Sequence, residues 1–561
     1  MIAWSIALAC GPGDTDPTDS IDPTGGTGTT DTSPPTTTGT WPTNPDVTVT
    51  PVSCAGPVAR GPDAWVRSEL GLDWTFEPDW RSANWDLRFG ARGLVVSDFD
   101  GDGHLDMIVP QYSEKSRLLV GDGVGGFVDG PALPDLAALR GPIGGAAADI
   151  DGDGDSDAFL YGQLSPPVFL VNDGAGQFVG TEHPEWDQPD FLGCGGSASF
   201  GDMDLDGDLD LFYGRLGAYR TVDGVTSFVA CPSRMLVNDG LGTFVDHPEM
   251  LDDDTDLSRI LASGWHQVDE DPWPELYLVA ENTADGEDVG DVEVLLPNFI
   301  YDNDASGLVH DAEGFPGLEV RLAGMGLAAG DINSDGLADF AVAGWGEVPT
   351  LDSTAGGVWV NQSVSRGVIP DAAVDQVVAW GGDYADLDND GYEDLLVAFG
   401  ATVQLPTRQP DGLWRGAPSG DWPSVAPDWG MDDDLSMRGF VVADVNRDGW
   451  LDVLKREMGG VVVTYVSKCG AESWLAVSLN DGQRPDGFAV GATVRVRAGD
   501  RVWTEWVVAG STNFGSGGPA EVHFGLGDVE AIDGVDVVWP DGELTSYAGL
   551  PVRSFVEIQR P

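Results

Sequence analysis

The chain predicts an all-β fold, a seven-bladed β-propeller with calcium-loop hairpins followed by a small C-terminal β domain. Three observations lead there. An acidic nine-residue pattern recurs seven times at spacings of 51 to 65 residues, and a period in that range outranks a domain count taken from length. Each copy runs into alternating apolar and polar residues, as in Leu209-Asp-Leu-Phe-Tyr213, which is the period of a strand. A second turn follows in most units, such as Asn172-Asp173-Gly174 with Phe178 or Asn238-Asp239-Gly240 with Phe244, and closes another hairpin. Four strands per unit and seven units fit a propeller.

The pattern is D-x-D-x-D-G-x-x-D. Its first copy is Asp98, Asp100, Asp102, Gly103 and Asp106. The second and third are Asp149, Asp151, Asp153, Gly154, Asp157 and Asp202, Asp204, Asp206, Gly207, Asp210. After a degraded fourth copy come Asp331, Asn333, Asp335, Gly336, Asp339, then Asp386, Asp388, Asp390, Gly391, Asp394, and finally Asp444, Asn446, Asp448, Gly449, Asp452. Calcium takes six to eight oxygens in a flexible cage. Residues 1, 3, 5 and 9 supply side-chain oxygens, and Gly at position 6 lets the backbone reverse with positive φ. Position 7 supplies a carbonyl, so its side chain is free to vary. It is His104, Asp155, Asp208, Leu337, Tyr392 and Trp450 in the six regular copies. An EF-hand needs a Glu at position 12 and flanking helices; here position 12 is Val109, Leu160, Tyr213, Val342, Val397 and Lys455. About six calcium sites are expected. The fourth copy, Gln267, Asp269, Asp271 and Glu275, carries Pro272 and Pro274 around Trp273 and lacks the turn Gly, so it is expected to be metal-free.

Lys plus Arg number 27 against 94 Asp plus Glu, for a formal charge of −67. Such a surface repels nucleic acid and anionic membrane. With calcium near 1 mM and a Kd near 0.1 mM, each site adds about 1.4 kcal/mol and six add about 8, comparable to the net stability of a domain.

Residues 2–9 are apolar, too short to span a bilayer, and end at Cys10. They look like the end of a bacterial lipoprotein signal, with Cys10 lipidated, although Leu8 is one place closer to the Cys than usual and no Lys or Arg precedes Arg60. Residues 1–10 are read as this signal segment. Residues 11–53 are rich in Thr, Pro, Gly and Asp and read as a disordered tether. Four cysteines remain, and an exported chain can oxidise them. Cys54 precedes the repeats and Cys469 follows them, while Cys194 and Cys231 flank the third loop. The expected pairs are Cys54–Cys469 and Cys194–Cys231.

The propeller is placed at 54–469. Its seventh unit is short, and the missing outer strand is expected from the N-terminal side, around Gly71-Leu-Asp-Trp-Thr-Phe76. The acidic stretch Ala284–Glu293 reads as a solvated loop. The metal loops with their Asn-Asp-Gly hairpins resemble FG-GAP/VCBS repeats, which also build the integrin α-subunit propeller, over about residues 70–467. Residues 470–561 lose the loop pattern. Gly491-Ala-Thr-Val-Arg-Val496, His523-Phe-Gly-Leu-Gly527 and Val537-Val-Trp-Pro-Asp-Gly542 resemble the ASPIC/UnbV domain that follows such propellers in proteins similar to cartilage acidic protein. The resemblance implies an extracellular calcium-binding, adhesive protein and no established reaction. His523 sits in a strand pattern and is expected to be structural.

No G-x-x-x-x-G-K, H-E-x-x-H or G-x-S-x-G occurs, so no enzyme is expected. The favoured function is an exported, surface-displayed binding or adhesion scaffold with structural calcium, a monomer held to a membrane only by its lipid and facing an unknown protein or glycan ligand. A lectin-like glycan binder is the alternative, resting on tryptophans such as Trp345, Trp380, Trp414, Trp422 and Trp429. A calcium-dependent polysaccharide lyase or hydrolase rests on fold analogy alone.

Overall fold

The computed structural model describes residues 45–561 apart from 53–64, 71–92, 112–114, 140, 163–164, 187–193, 217, 223–224, 230, 253–254, 256–257, 270, 282–296, 370–376, 401–408, 419, 432–436, 458–461 and 511–512. Cys10, Cys54, most of the expected tether, the Gly71–Phe76 segment and the acidic stretch 284–293 lie outside the described residues.

Among the described residues, seven antiparallel sheets follow one another, each with one acidic loop. In each, the acidic loop joins the first strand to the second, and position 9 is the first residue of the second strand. The second sheet shows the plan: Pro142–Ala148, Asp157–Gly162, Val168–Val171 and Val179–Glu182, paired in that order.

Alternation along the second strands builds the core, because successive side chains face opposite neighbours. Leu160 packs with the first sheet (Val95, Ile108), while Phe159 and Tyr161 pack with Leu211 and Tyr213 of the third. Phe212 meets Leu276 and Leu278 of the fourth. Tyr277 and Val279 meet Phe340 and Val342 of the fifth. Ala341 and Ala343 then meet Leu395 and Val397 of the sixth. Leu396 packs with Val453 of the seventh, and Leu454 returns to Val96 and Met107 of the first. Each sheet therefore shares one apolar layer with its predecessor and another with its successor, and the seventh packs on the first. This is propeller architecture, closed by side-chain packing rather than by a continuous sheet.

The seventh sheet takes Met437–Ala443, Asp452–Glu457 and Val462–Ser467 from the end of the repeats and Trp65–Glu69 from before them. An N-terminal strand does complete it, but the residues are Trp65–Glu69 rather than 71–76. This edge strand buries only Trp65, so it carries no apolar alternation to mark it.

Two further sheets lie after the repeats. One orders Val47–Pro51, Ser554–Gln559, Ser473–Asn480 and Glu521–Gly527; the other orders Arg501–Trp506, Thr493–Ala498, Gly534–Val538 and Leu544–Tyr547. Val47–Pro51 fall inside the expected tether, yet they form a strand paired with Ser554–Gln559. The core of these sheets (Val477, Val496, Val537, Ile558) is continuous with the layer between the second and third propeller sheets.

From this C-terminal region a short segment enters the middle of the ring. Ala509 and Gly510 pair with Phe200 and Ser199 of the third sheet. Gly515 O accepts Gly145 N of the second at 3.2 Å, and Gly517 exchanges hydrogen bonds of 3.0 Å with Leu94 O and Val96 N beside the first. Phe514 sits among Leu216, Leu261, Met325, Val378 and Trp380. A β-carbon on Gly381 would lie 1.7 Å from Asn513 Oδ1, so a larger residue there would have to displace the Asn513 side chain.

Candidate metal loops and the surface that covers them

The loops are preformed by their own hydrogen bonds. At position 6, Gly103, Gly154, Gly207, Gly336, Gly391 and Gly449 have φ between 86° and 104°, as the turn requires. The position-1 carboxylate accepts the position-6 N–H at 2.6–3.0 Å in the first, second, fifth, sixth and seventh loops. The position-5 carboxylate accepts the position-7 N–H at 2.9–3.2 Å in all six regular loops. Position 4 also has positive φ throughout: Gly101, Gly152, Leu205, Ser334, Asn389 and Arg447. The varied residues at that position gave no sign of it.

Position 9 ties the loop to its sheet. One carboxylate oxygen of Asp106 accepts Phe99 N at 3.0 Å and the other accepts Gly121 N at 2.9 Å. The second bond, from the end of the third strand, recurs at 2.5–2.9 Å on Asp157, Asp210, Asp339, Asp394 and Asp452.

Carboxylate oxygens converge accordingly. Asp98, Asp100 and Asp106 each bring one oxygen to within 4.8 Å of the other two, as do Asp149, Asp151 and Asp157; Asp202, Asp204 and Asp206; and Asp386, Asp388 and Asp394. The fifth and seventh loops have Asn at position 3. There the amide nitrogens face carboxylates, Asn333 Nδ2 reaching Asp339 at 3.1 Å and Asn446 Nδ2 reaching Asp448 at 3.1 Å. The degraded fourth copy, expected to hold no metal, gathers Asp269, Asp271 and Glu275 as closely as the regular ones.

Burial makes this convergence costly without a counter-ion. It pushes the Asp106, Asp157 and Asp202 carboxyls up to about 7, and those of Asp210, Asp339 and Asp444 to about 8, with neighbouring aspartates adding to the shift. Such clustered oxygens, with no nitrogen or sulfur donor among them, suit a hard divalent cation. Two arginines already offset part of the charge: Arg415 pairs with Asp388 at 2.7 Å and with Asp390, and Arg484, from the C-terminal region, pairs with Asp202.

The C-terminal sheets lie over several loops. Gly487 N donates to Asp149 Oδ2 at 3.3 Å. Arg501 donates to Gly391 O at 2.7 Å. A β-carbon on Gly525 would fall 1.8 Å from Asp386, and one on Gly449 1.8 Å from the Trp474 ring. Arg447, at position 4 of the seventh loop, donates from Nη1 to both carboxylate oxygens of Glu521, at 2.7 and 2.8 Å. Between the first two loops and these sheets lies a cleft of about 200 Å³ whose lining includes Asp98, Asp155, Arg447, Phe488 and Glu521.

His523, expected to be structural, stands against the sixth acidic loop. It hydrogen-bonds Asn389 Oδ1 at 2.8 Å, stacks on Trp474, and is pushed down to about 3 by burial. The tryptophans behave differently from the glycan-binding expectation. Trp380, Trp414, Trp422 and Trp429 are buried, and of the five only Trp345 is exposed. Cys194 and Cys231 form the expected disulfide, with a Cα–Cα distance of 6.3 Å. Cys469 is disulfide-bonded, while its expected partner, Cys54, lies outside the described residues.

These features define a repeat propeller whose acidic loops bring carboxylate oxygens together closely enough to hold a metal ion. Residues 98–160 and 379–454 match the FG-GAP-like repeat family, and residues 482–561 match the ASPIC and UnbV family. Over 281 residues the chain is 27% identical to cartilage acidic protein 1 of Mus musculus, covering 47% of this chain and 42% of the relative. The Homo sapiens protein gives 27% identity over 47% and 40%. The match thus spans about two-fifths of the length of these relatives. Among solved structures, an Agrocybe aegerita lectin described as recognising non-reducing terminal N-acetylglucosamine aligns at 15% identity and TM-score 0.40, over 65% of this chain and 88% of its own. A Burkholderia pseudomallei lectin aligns at 13% identity and TM-score 0.38, over 68% and 98%.

Proposed function

We propose that this protein is a calcium-stabilised, non-enzymatic binding scaffold, a seven-bladed ring whose acidic loops hold calcium through the oxygens of positions 1, 3, 5, 7 and 9. The observation that carries the reading is the convergence of three carboxylate oxygens within 4.8 Å in loop after loop, on turns already closed by their own hydrogen bonds. Calcium would neutralise the clustered carboxylates and, where Asn333 and Asn446 stand at position 3, receive the amide oxygen once the side chain turns over. Its role is structural: the position-9 carboxylates link the loops to the strands, so an ion in the loop stiffens the blade edge.

The same reading makes the protein exported, lipidated at Cys10 and displayed as a monomer on the cell surface, where it binds a protein or glycan. The cleft beside the first loop, walled by Arg447, Phe488 and Glu521, is a site that ligand would use. Glycan binding through stacked tryptophans loses most of its support with the burial of Trp380, Trp414, Trp422 and Trp429. The scaffold reading is tested by isothermal titration of the chelator-treated chain with calcium. Saturable uptake of several ions supports it, and no heat and no uptake at millimolar calcium refutes it.

A further inference from the structure

We infer that the degraded fourth loop is itself a divalent-cation site, formed by Gln267, Asp269, Asp271 and Glu275 with the carbonyl of Trp273. The inference rests on the calcium-loop reading above and extends it to a loop outside the residues matched by the repeat family.

The sequence argues against this loop on two counts, and the structure answers each. First, position 6 is Pro272, which has no N–H to give to position 1. Position 1 has changed to match. Gln267 replaces aspartate and donates Nε2 to Pro272 O at 3.0 Å, so the loop is still closed between positions 1 and 6 with the bond reversed. The rest of the turn is retained: Trp273 N donates to Asp271 at 2.8 Å, as position 7 does to position 5 in every regular loop.

Second, position 9 is Glu275 rather than aspartate. Its Oε2 accepts Val268 N at 2.7 Å, the counterpart of the bond from Phe99 N to Asp106 in the first loop. Its Oε1 differs from every regular copy. There the second oxygen takes an N–H from the third strand; here Oε1 is buried with no hydrogen-bond partner, in a residue with 0% exposure. A buried carboxylate oxygen left unpaired costs free energy unless something positive meets it. Glu275 contributes an oxygen within 4.8 Å of oxygens from Asp269 and Asp271. Leu276 pairs with Tyr301, which sets Asp302 opposite Glu275 on the next strand and adds another negative charge. Three carboxylates, an amide oxygen and a carbonyl form an oxygen-only set, which selects calcium, magnesium or manganese over softer metals.

The test counts calcium per chain by equilibrium dialysis and elemental analysis of the full-length Cys10→Ser protein. The wild-type chain should hold seven ions and Glu275→Gln six. Because Glu275 is buried, the pair Asp269→Asn/Asp271→Asn provides a second variant; Asp269 is exposed and its change leaves the core untouched. That variant should also hold six, and should lose part of the terbium emission excited through tryptophan, since Trp273 adjoins the ion. The same count in the wild type and both variants, with unchanged emission, would overturn the fourth site while leaving the regular loops intact. A count of zero in the wild type would overturn the calcium reading as a whole.

Discussion

The side-chain amide of Asn172 reaches out of its own blade and donates to the carbonyl of Phe99, at 2.8 Å, in the acidic loop of the blade before it. The same amide nitrogen donates to Ser156 O at 3.0 Å in its own loop. Asn238 repeats the arrangement on Ile150 O and Leu209 O, and Asn303 reaches Met203 O. In these three units the Asn of the turn thus does more than close a hairpin, for it couples its own blade to the loop of the blade before it. Asn172→Ala leaves the Ser156 carbonyl without this donor while Phe99 O keeps the N–H of Gly176 at 2.8 Å, and at roughly 1–3 kcal/mol for one such group it should destabilise the fold by about 1 kcal/mol or more. It should also weaken calcium binding at both the first and second loops. Urea unfolding with calcium titration checks this; an unchanged midpoint would show that the bonds are incidental.

The acidic loops set a pH dependence whose sign is fixed by their shifts. Asp106 and Asp157 are raised from 3.8 to about 7, and Asp210 and Asp339 to about 8. A carboxyl raised in the folded state binds protons more readily there than when unfolded, so stability falls as pH rises. The calcium-free protein should therefore melt higher at pH 5 than at pH 8, with the loss spread between about 4 and 8. Saturating calcium should abolish or reverse the trend, because the ion binds the ionised form. Melting curves at both pH values, with chelator and with calcium, distinguish these outcomes.

Phe514 fills the middle of the ring against Trp380, with ring centroids 4.9 Å apart. Truncating a buried aromatic to alanine costs about 3–5 kcal/mol. Phe514→Ala should lower stability by that order and loosen the C-terminal sheets from the propeller, read as faster amide exchange at Gly145 and Val96, whose N–H groups bond to the same segment. If exchange there is unaltered, the segment is not what holds the two regions together.

Cys194 and Cys231 enclose a sequence separation of 37 residues, for which loop closure predicts a stabilisation of about 4 kcal/mol. Replacing both by serine should lower the unfolding free energy by about that amount, in a manner reproduced by reduction of the native chain with respect to this bond.

The repeating parts of this structure were legible because local chemistry repeats with them. The position-6 glycines were read from the turn they must make, and the second strands from their alternation. What escaped was long-range. Trp65–Glu69 is an edge strand with one buried residue, so no apolar alternation marks it as the closing strand. Val47-Thr-Val-Thr-Pro51 alternates, but a Thr/Pro-rich surrounding disguised it as tether. The segment carrying Phe514 reads as a Gly/Ser loop because its partners lie on the propeller's inner strands. Tryptophan identity says nothing of exposure, and four of the five offered to a glycan turned out to be core. In the fourth loop, proline and glutamine looked like decay when taken singly. Their hydrogen bond to each other shows that the substitutions compensate.

The most direct test of the central claim is the thermal melting of the full-length Cys10→Ser chain before and after chelation, with bound calcium counted on the same sample. Several ions per chain and a large rise in melting temperature on restoring calcium are expected, since six sites at about 1.4 kcal/mol each supply about 8 kcal/mol. One ion or none, with melting unchanged by chelation, would contradict the account and reduce the acidic loops to turns.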